Sequence, residues 1–344
     1  GTMHRSTHTP GRRRAHLMIW FYFLGSMFIL VRAATKLAEY GDALGARTGV
    51  SELFVGTLLM AAATSLPELL TGYNSMRQGV TDISAGDLFG SNMLNMFLLG
   101  VLDLIFGQVR VLRQVALKHV FSGGVAILMT TLVIFFLLAK IDLRVGWVGI
   151  ESLVLIAGYV VGVWLIRRNS DMAAAEEQPD LTGVPSLPRA VIGFVLSAAV
   201  LILISPWMVR SSMGVAELTG LSKGFVGAAM VGVATSLPEL VTTIATIRLG
   251  AYDMAVGNLF GSNLFNMAAF GLTDVLYTKG YFLQSVDSQF ALVGLISVIL
   301  MSLALLGNAS RGTQRRLLVE VDAAAIMLVY ALGLYFLYTR GIGG

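Results

Sequence analysis

Residues 56–103 of this chain recur as residues 227–274. Laid over one another at an offset of 171, GTLLMAAATSLPELLTGYNSMRQGVTDISAGDLFGSNMLNMFLLGVLD and GAAMVGVATSLPELVTTIATIRLGAYDMAVGNLFGSNLFNMAAFGLTD share 22 identities in 48 ungapped positions. The likeness begins upstream, where TGVSELFVG from Thr48 meets TGLSKGFVG from Thr219. Shared hydrophobicity alone does not produce such a match. The chain is a duplicated unit, and its fold has to be built from two copies of one element.

The solvent of that element follows from composition. Charged residues make up 13% of 344, hydrophobic residues 56%, and the mean hydropathy is +0.78; a soluble domain carries roughly 25% charge. The apolar excess excludes intrinsic disorder. Scattered charge excludes a nucleic-acid surface, and the absence of Cys excludes a disulfide-stapled secreted domain. A net charge of +4 implies no acidic partner, because surplus Lys and Arg belong in the short loops of a membrane protein.

A bilayer core of about 30 Å takes roughly 20 residues of helix. On that ruler the charged and Gly/Pro-rich breaks predict ten spans, at 17–46, 51–77, 81–105, 115–139, 145–167, 188–217, 222–248, 252–276, 286–307 and 317–339. The run from Leu17 imitates a signal peptide, yet it continues to about Ala46 without a small-residue cleavage site and is read as a first span. The organisation expected is a tail over 1–16, a five-helix repeat over 17–168, a polar linker over 169–187 and a second five-helix repeat over 188–340. Five is odd, so the second copy enters the membrane from the opposite side. The fold class expected is therefore an all-α membrane protein of ten transmembrane helices in two inverted repeats, an arrangement typical of secondary transporters with a site near the midplane.

The repeated polar residues lie mid-span. Ala-Thr-Ser-Leu-Pro-Glu places Thr64, Ser65, Pro67 and Glu68 in helix 2, and Thr235, Ser236, Pro238 and Glu239 in helix 7. Each Pro lacks a donor and breaks its helix, freeing carbonyls that lipid does not tolerate unless they face protein or a polar cavity. A carboxylate at that depth costs about 2.5 to 3.5 kcal/mol on insertion scales and points to function. In the following span of each copy, Asp87, Ser91 and Asn95, and likewise Asn258, Ser262 and Asn266, recur every four residues and share one helix face. Gly86, Gly90, Gly257 and Gly261 have small-xxx-small spacing, which reads first as helix packing. Carboxylates, hydroxyls, carboxamides and carbonyls suit Na⁺ and Ca²⁺ rather than Zn²⁺ or copper, and Mg²⁺ gives up its water reluctantly. Two facing glutamates can balance one Ca²⁺, be shared among several Na⁺, or take up protons.

Carrying TSLPE and GSNxxN in each half, the sequence resembles the cation/calcium exchanger superfamily, and within it the prokaryotic sodium/calcium exchangers, over about residues 20–340. The resemblance implies ten spans with broken central helices. It also implies a metal site with Glu68 and Glu239 as shared central ligands, oxygens from Thr64, Ser65, Thr235 and Ser236, carbonyls of Ala61 and Gly232, and Ser91, Asn95, Ser262 and Asn266 from the paired helices. Members often carry Asp at one of the two positions that close GSNxx, where this chain has Asn95 and Asn266, and Asn is common where it has Asp87. An acid thus stands about two turns, roughly 12 Å, along the same face, and Asp87 joins the candidate set.

Other residues read more plainly. His119, at the start of a span, is expected to be solvated at the interface, and Asp82 and Asp253 to be helix N-caps. Of the 24 Lys and Arg, 13 fall on the linker side and, outside the tail, seven on the other, so the linker is expected to be cytoplasmic and both termini outside.

The function expected is a cell-membrane antiporter exchanging Na⁺ for Ca²⁺ by alternating access, with a proton-coupled exchanger of Ca²⁺ or another cation as the alternative and a cation channel less favoured. No enzyme is expected, because no His lies mid-span to activate Ser65 or Ser236. The partners expected are inorganic cations and membrane lipid, with no nucleic acid and no cofactor.

Overall fold

A computed structural model describes residues 10–106, 111–171, 181, 183–217, 232–278, 281–309 and 315–340. Nearly all of these are helical. The long helices are α1 (Pro10–Thr48), α2 (Leu66–Gln78), α3 (Thr81–Ile105), α4 (Val111–Ala139), α5 (Ile150–Asp171), α6 (Leu187–Glu217), α7 (Leu237–Leu249), α8 (Tyr252–Leu276), α9 (Phe290–Ala309) and α10 (Arg315–Arg340). Among the described residues seven helices are long and apolar enough to cross a membrane. Phe21, Phe28, Leu203 and Tyr335 stand exposed on outward faces, as expected where the solvent is lipid. Most of the expected linker and the beginning of the expected seventh span lie outside the described residues.

Away from the broken helices, five boundaries depart from the expected ones by four residues or more: α1 begins at Pro10 instead of 17, inside the expected tail, α4 begins at Val111 instead of 115, and the other three belong to α5 and α9. Helix α5 starts at Ile150 instead of 145, because a two-stranded hairpin precedes it, Arg144–Val145 paired with Val148–Gly149 around Gly146 at φ +67°. This hairpin is the one exception to an all-helical reading among the described residues. The same helix continues to Asp171, and α9 starts at Phe290 instead of 286.

Two helices lie at the centre. Almost every residue of α3 from Ser84 to Asn95, and of α8 from Met254 to Gly271, is buried. Phe89 of α3 packs on Phe270 of α8, with ring centroids 5.1 Å apart, and Phe270 continues to Phe282. Helices α4, α5 and α9 surround this pair, and α1 lies along α6. Close approach to α8 requires glycine: a Cβ on Gly261 would sit 2.3 Å from the carbonyl oxygen of Thr57.

Around the central pair the helices of the motif are interrupted. The chain before α2 runs as a short turn, Glu52–Phe54, a π-helical stretch, Val55–Met60, and a short helix, Ala61–Thr64. Ser65 then leaves helical geometry at φ −92°, ψ 5°, in the sparsely populated bridge region, and Pro67 in the next turn withholds the N–H that would rejoin the ladder. In the second copy Gly232–Thr235 precedes Ser236 at φ −82°, ψ 4°, with Pro238 following. Both broken helices end alike: Gly79 and Gly250 take left-handed φ of +70° and +84°, and the residue after each returns a backbone N–H to Ser75 and Thr246.

Candidate functional site

The two breaks face the two central helices, and the polar side chains cross between copies. Ser65 donates to Glu239 Oε1 at 2.9 Å, and Ser262 donates to the same oxygen at 3.3 Å. Ser91 donates to Glu68 Oε1 at 3.4 Å and also approaches Thr235. Thr235 donates to Asp87 Oδ1 at 2.7 Å; its counterpart Thr64 donates to Asn258 Oδ1 at 3.4 Å and lies 3.5 Å from Ser262. Glu68, Glu239, Asp87, Ser91, Ser262, Asn95 and Asn266 are all 0% exposed. Hydroxyls of each broken segment therefore reach the straight helix of the other copy, bringing residues some 150 to 200 positions apart into one cluster.

The cluster has unused acceptors. Glu68 Oε2, Glu239 Oε2, Asp87 Oδ2, Asn95 Oδ1 and Asn266 Oδ1 are buried without a hydrogen-bond partner, as is the Ser236 hydroxyl. A buried carboxylate is costly unless paired with positive charge. The bonds described at these three carboxylates come from hydroxyls, which satisfy lone pairs without neutralising charge. Among the described residues no three His, Asp or Glu close into a metal cage by themselves. A cation held here needs hydroxyl, carboxamide and main-chain oxygens beside the carboxylates, which is the chemistry of Na⁺ and Ca²⁺.

Two expected carbonyl ligands differ in circumstance. Ala61 O accepts the Ser65 N–H at 2.9 Å and the Thr64 hydroxyl at 3.4 Å; that hydroxyl is shared with Asn258 Oδ1 at 3.4 Å, so one lone pair of Ala61 O is only weakly held. Gly232 opens the short helix that ends at Thr235. Position 258 is occupied differently from position 87: Asn258 Nδ2 is held by Thr242 and Thr243, at 2.9 and 3.4 Å, so that a neutral amide is fully engaged where the other copy has a free carboxylate oxygen. Beside α2, a cavity of about 140 Å³ opens among Pro67, Thr71, Asn74, Gln78, Pro206 and Arg210.

Several plain readings need correction. His119 is buried, not solvated: its Nε2 lies 3.6 Å from Asp253, its Nδ1 faces Ser122 at 3.4 Å, and its ring stacks on Phe260. Asp253 thus faces His119 from the first turn of α8, which follows Ala251 as the cap. Asp82 likewise sits inside its helix and accepts the backbone N–H of Asp287 across the fold. Sequence reasoning missed Asn92 and Asn263, which join the closing Asn residues of the two motifs. The one available signal was their own repetition at the offset of 171.

The pattern of the family described as Sodium/calcium exchanger protein matches residues 18–167 and 189–339. Family and fold together are those of a multi-pass membrane transporter for cations. The chain belongs to the sodium/calcium exchanger protein family. Among its relatives, the sodium/calcium exchanger MaX1 of Methanosarcina acetivorans is 26% identical over 292 residues, covering 74% of this chain and 81% of the relative. The Ca(2+)/H(+) antiporter ChaA of Bacillus subtilis is 25% identical over 276 residues, 73% of this chain and 76% of its own. The solved sodium-calcium exchanger NCX_Mj superposes with a TM-score of 0.64 at 19% identity, covering 93% of this chain and 99% of that one, a likeness of fold.

Proposed function

We propose that this chain is a secondary active antiporter that exchanges Na⁺ for Ca²⁺ by alternating access. In this reading ten spans form two inverted five-helix halves, the 169–187 linker is cytoplasmic, and cations bind where the halves meet. Glu68 and Glu239 are the central ligands, and Asp87 is a third carboxylate. Thr64, Ser65, Thr235, Ser236, Ser91, Ser262, Asn95 and Asn266 add neutral oxygens, with main-chain oxygen from Ala61 and Gly232. The observation that carries the reading is the convergence of Ser65 and Ser262 on one oxygen of Glu239 while the other oxygen, like those of Glu68 and Asp87, stays buried and unbonded. Such carboxylates are stable at depth when a cation or a proton completes them. Helices broken at Ser65 and Ser236 support movement about the site, because each half-helix can move without tearing a continuous hydrogen-bond ladder. The cavity beside Pro67 supports access from the α2 side.

Proton coupling is the second reading, favoured by the third buried carboxylate and by the likeness to ChaA. Radioactive calcium uptake into proteoliposomes tests both. Uptake driven by an outward Na⁺ gradient at equal pH supports Na⁺ exchange; uptake driven only by a pH gradient assigns the chain to proton coupling, and none with either sinks the antiporter.

A further inference from the structure

The GSNxxN motif puts four Asn residues between the central helices, and all four are fully buried: Asn92 and Asn95 on α3, Asn263 and Asn266 on α8. They are joined crosswise. Asn95 Nδ2 donates to Asn263 Oδ1 at 2.9 Å, and Asn266 Nδ2 donates to Asn92 Oδ1 at 3.0 Å. The offset of 171 maps 92 onto 263 and 95 onto 266, so exchanging the copies turns one bond into the other. Asn92 is pinned further by donating its own Nδ2 to the main-chain oxygen of Asn263 at 3.3 Å.

The consequence concerns which atom each closing Asn presents. A carboxamide has a negative end and a positive end, and rotation about its last bond exchanges them. Asn95 and Asn266 use their NH₂ groups on the first Asn of the other copy, and in both the Oδ1 is left buried without a partner. Both residues share a helix face with the serine that contacts a glutamate, Ser91 with Glu68 and Ser262 with Glu239. An oxygen on that face attracts a cation, whereas an NH₂ repels it.

We propose that Asn92 is a positioning residue that locks the carboxamide of Asn266 with oxygen, not nitrogen, toward the cation, and that Asn263 orients Asn95 in the same sense. This inference rests on the proposed cation site. It also gives a physical reason for Asn at position 266. A carboxylate there would set an acceptor against Asn92 Oδ1, which does not turn away while Asn92 Nδ2 is held by the main-chain oxygen of Asn263.

Asn92 offers the cleaner test, because its Nδ2 is held by main chain and its Oδ1 is not exchanged for a donor, whereas the unpartnered Nδ2 of Asn263 can turn to meet a carboxylate at 95. Asn92→Leu removes the lock and Asn266→Asp makes both ends of the locked group oxygen. Initial rates of calcium uptake in proteoliposomes are measured against calcium concentration for each single variant and for the pair. Asn92→Leu is expected to raise the apparent KM about fivefold to tenfold with the maximal rate nearly kept, the scale of one buried orienting hydrogen bond. Asn266→Asp alone is expected to transport poorly, and the double variant is expected to have a lower apparent KM than either single. Contacting substitutions couple, but two losses of packing do not restore affinity. Additive losses, or an unchanged KM in Asn92→Leu, overturn the lock. If Asn92→Leu does not fold, Asn92→Ala with Asn266→Asp is measured with the same expectations. Glu68→Gln is run in parallel: normal transport by that variant removes the cation site itself, whereas its failure alongside additive Asn losses removes only the lock.

Discussion

Thr235 donates a 2.7 Å hydrogen bond to Asp87, joining the broken segment of one copy to the straight helix of the other. The bond places Asp87 inside the polar cluster, since the same Thr235 hydroxyl also lies 3.4 Å from Ser91. An acid eight positions from Asn95 reaches the cluster because the second copy's break comes to it.

Asp87→Asn, which gives the first copy the residue of the second, removes one of the three carboxylates of the polar cluster. Loss of a charge-assisted contact of about 1.5 to 3 kcal/mol corresponds to roughly tenfold to a hundredfold weaker calcium affinity. The weakening is expected at every ionic strength, measured by uptake at low and high salt. A deficit that fades as salt rises would mark a peripheral charge screened by solvent ions, and no deficit would make Asp87 a packing residue.

Gly261→Ala tests the approach of the central helix to the segment before the first break. The added methyl would lie 2.3 Å from Thr57 O and 2.8 Å from the Ala61 side chain, so backbone has to move. Overpacking of this kind costs about 1 to 3 kcal/mol. The expected outcome is a lower melting temperature in detergent together with weakened transport. Unchanged melting and transport would show that the two elements separate without cost.

Tyr281→Phe probes the opposite concern, stability away from the site. The Tyr281 hydroxyl bonds to buried Glu151 and to the Ile141 carbonyl, tying the chain after α8 to the hairpin region before α5. Removing it leaves a buried carboxylate without this donor, at a cost of about 1 to 3 kcal/mol. Thermal unfolding should move to lower temperature while calcium affinity stays unchanged; a changed affinity with unchanged unfolding would contradict the separation of the two regions.

Much of the site is legible in the sequence because its chemistry is local and doubled. TSLPE announces a break and a deep carboxylate, and the four-residue spacing of Asp87, Ser91 and Asn95 announces a face. The partners are not legible. Asn92 and Asn263 bond across α3 and α8, and nothing in either motif says which Asn of the other copy it meets. His119 finds Asp253, and Asp82 finds the backbone of Asp287, across separations of more than a hundred residues, so one-sequence reasoning assigned all three to local roles. The π-helical stretch before the first break carries no composition of its own, since Val55–Met60 reads as ordinary helix and departs from it under tertiary packing.

The central claim is that Glu68 and Glu239 complete one cation site, and calcium uptake by Glu68→Gln and Glu239→Gln in proteoliposomes tests it most directly. Each change keeps side-chain shape and removes one negative charge where the low dielectric makes charge count most. The account predicts that both variants fold, shown by an unshifted elution profile in detergent, and that neither takes up calcium above empty vesicles. Uptake at the unmodified rate by either variant would contradict it.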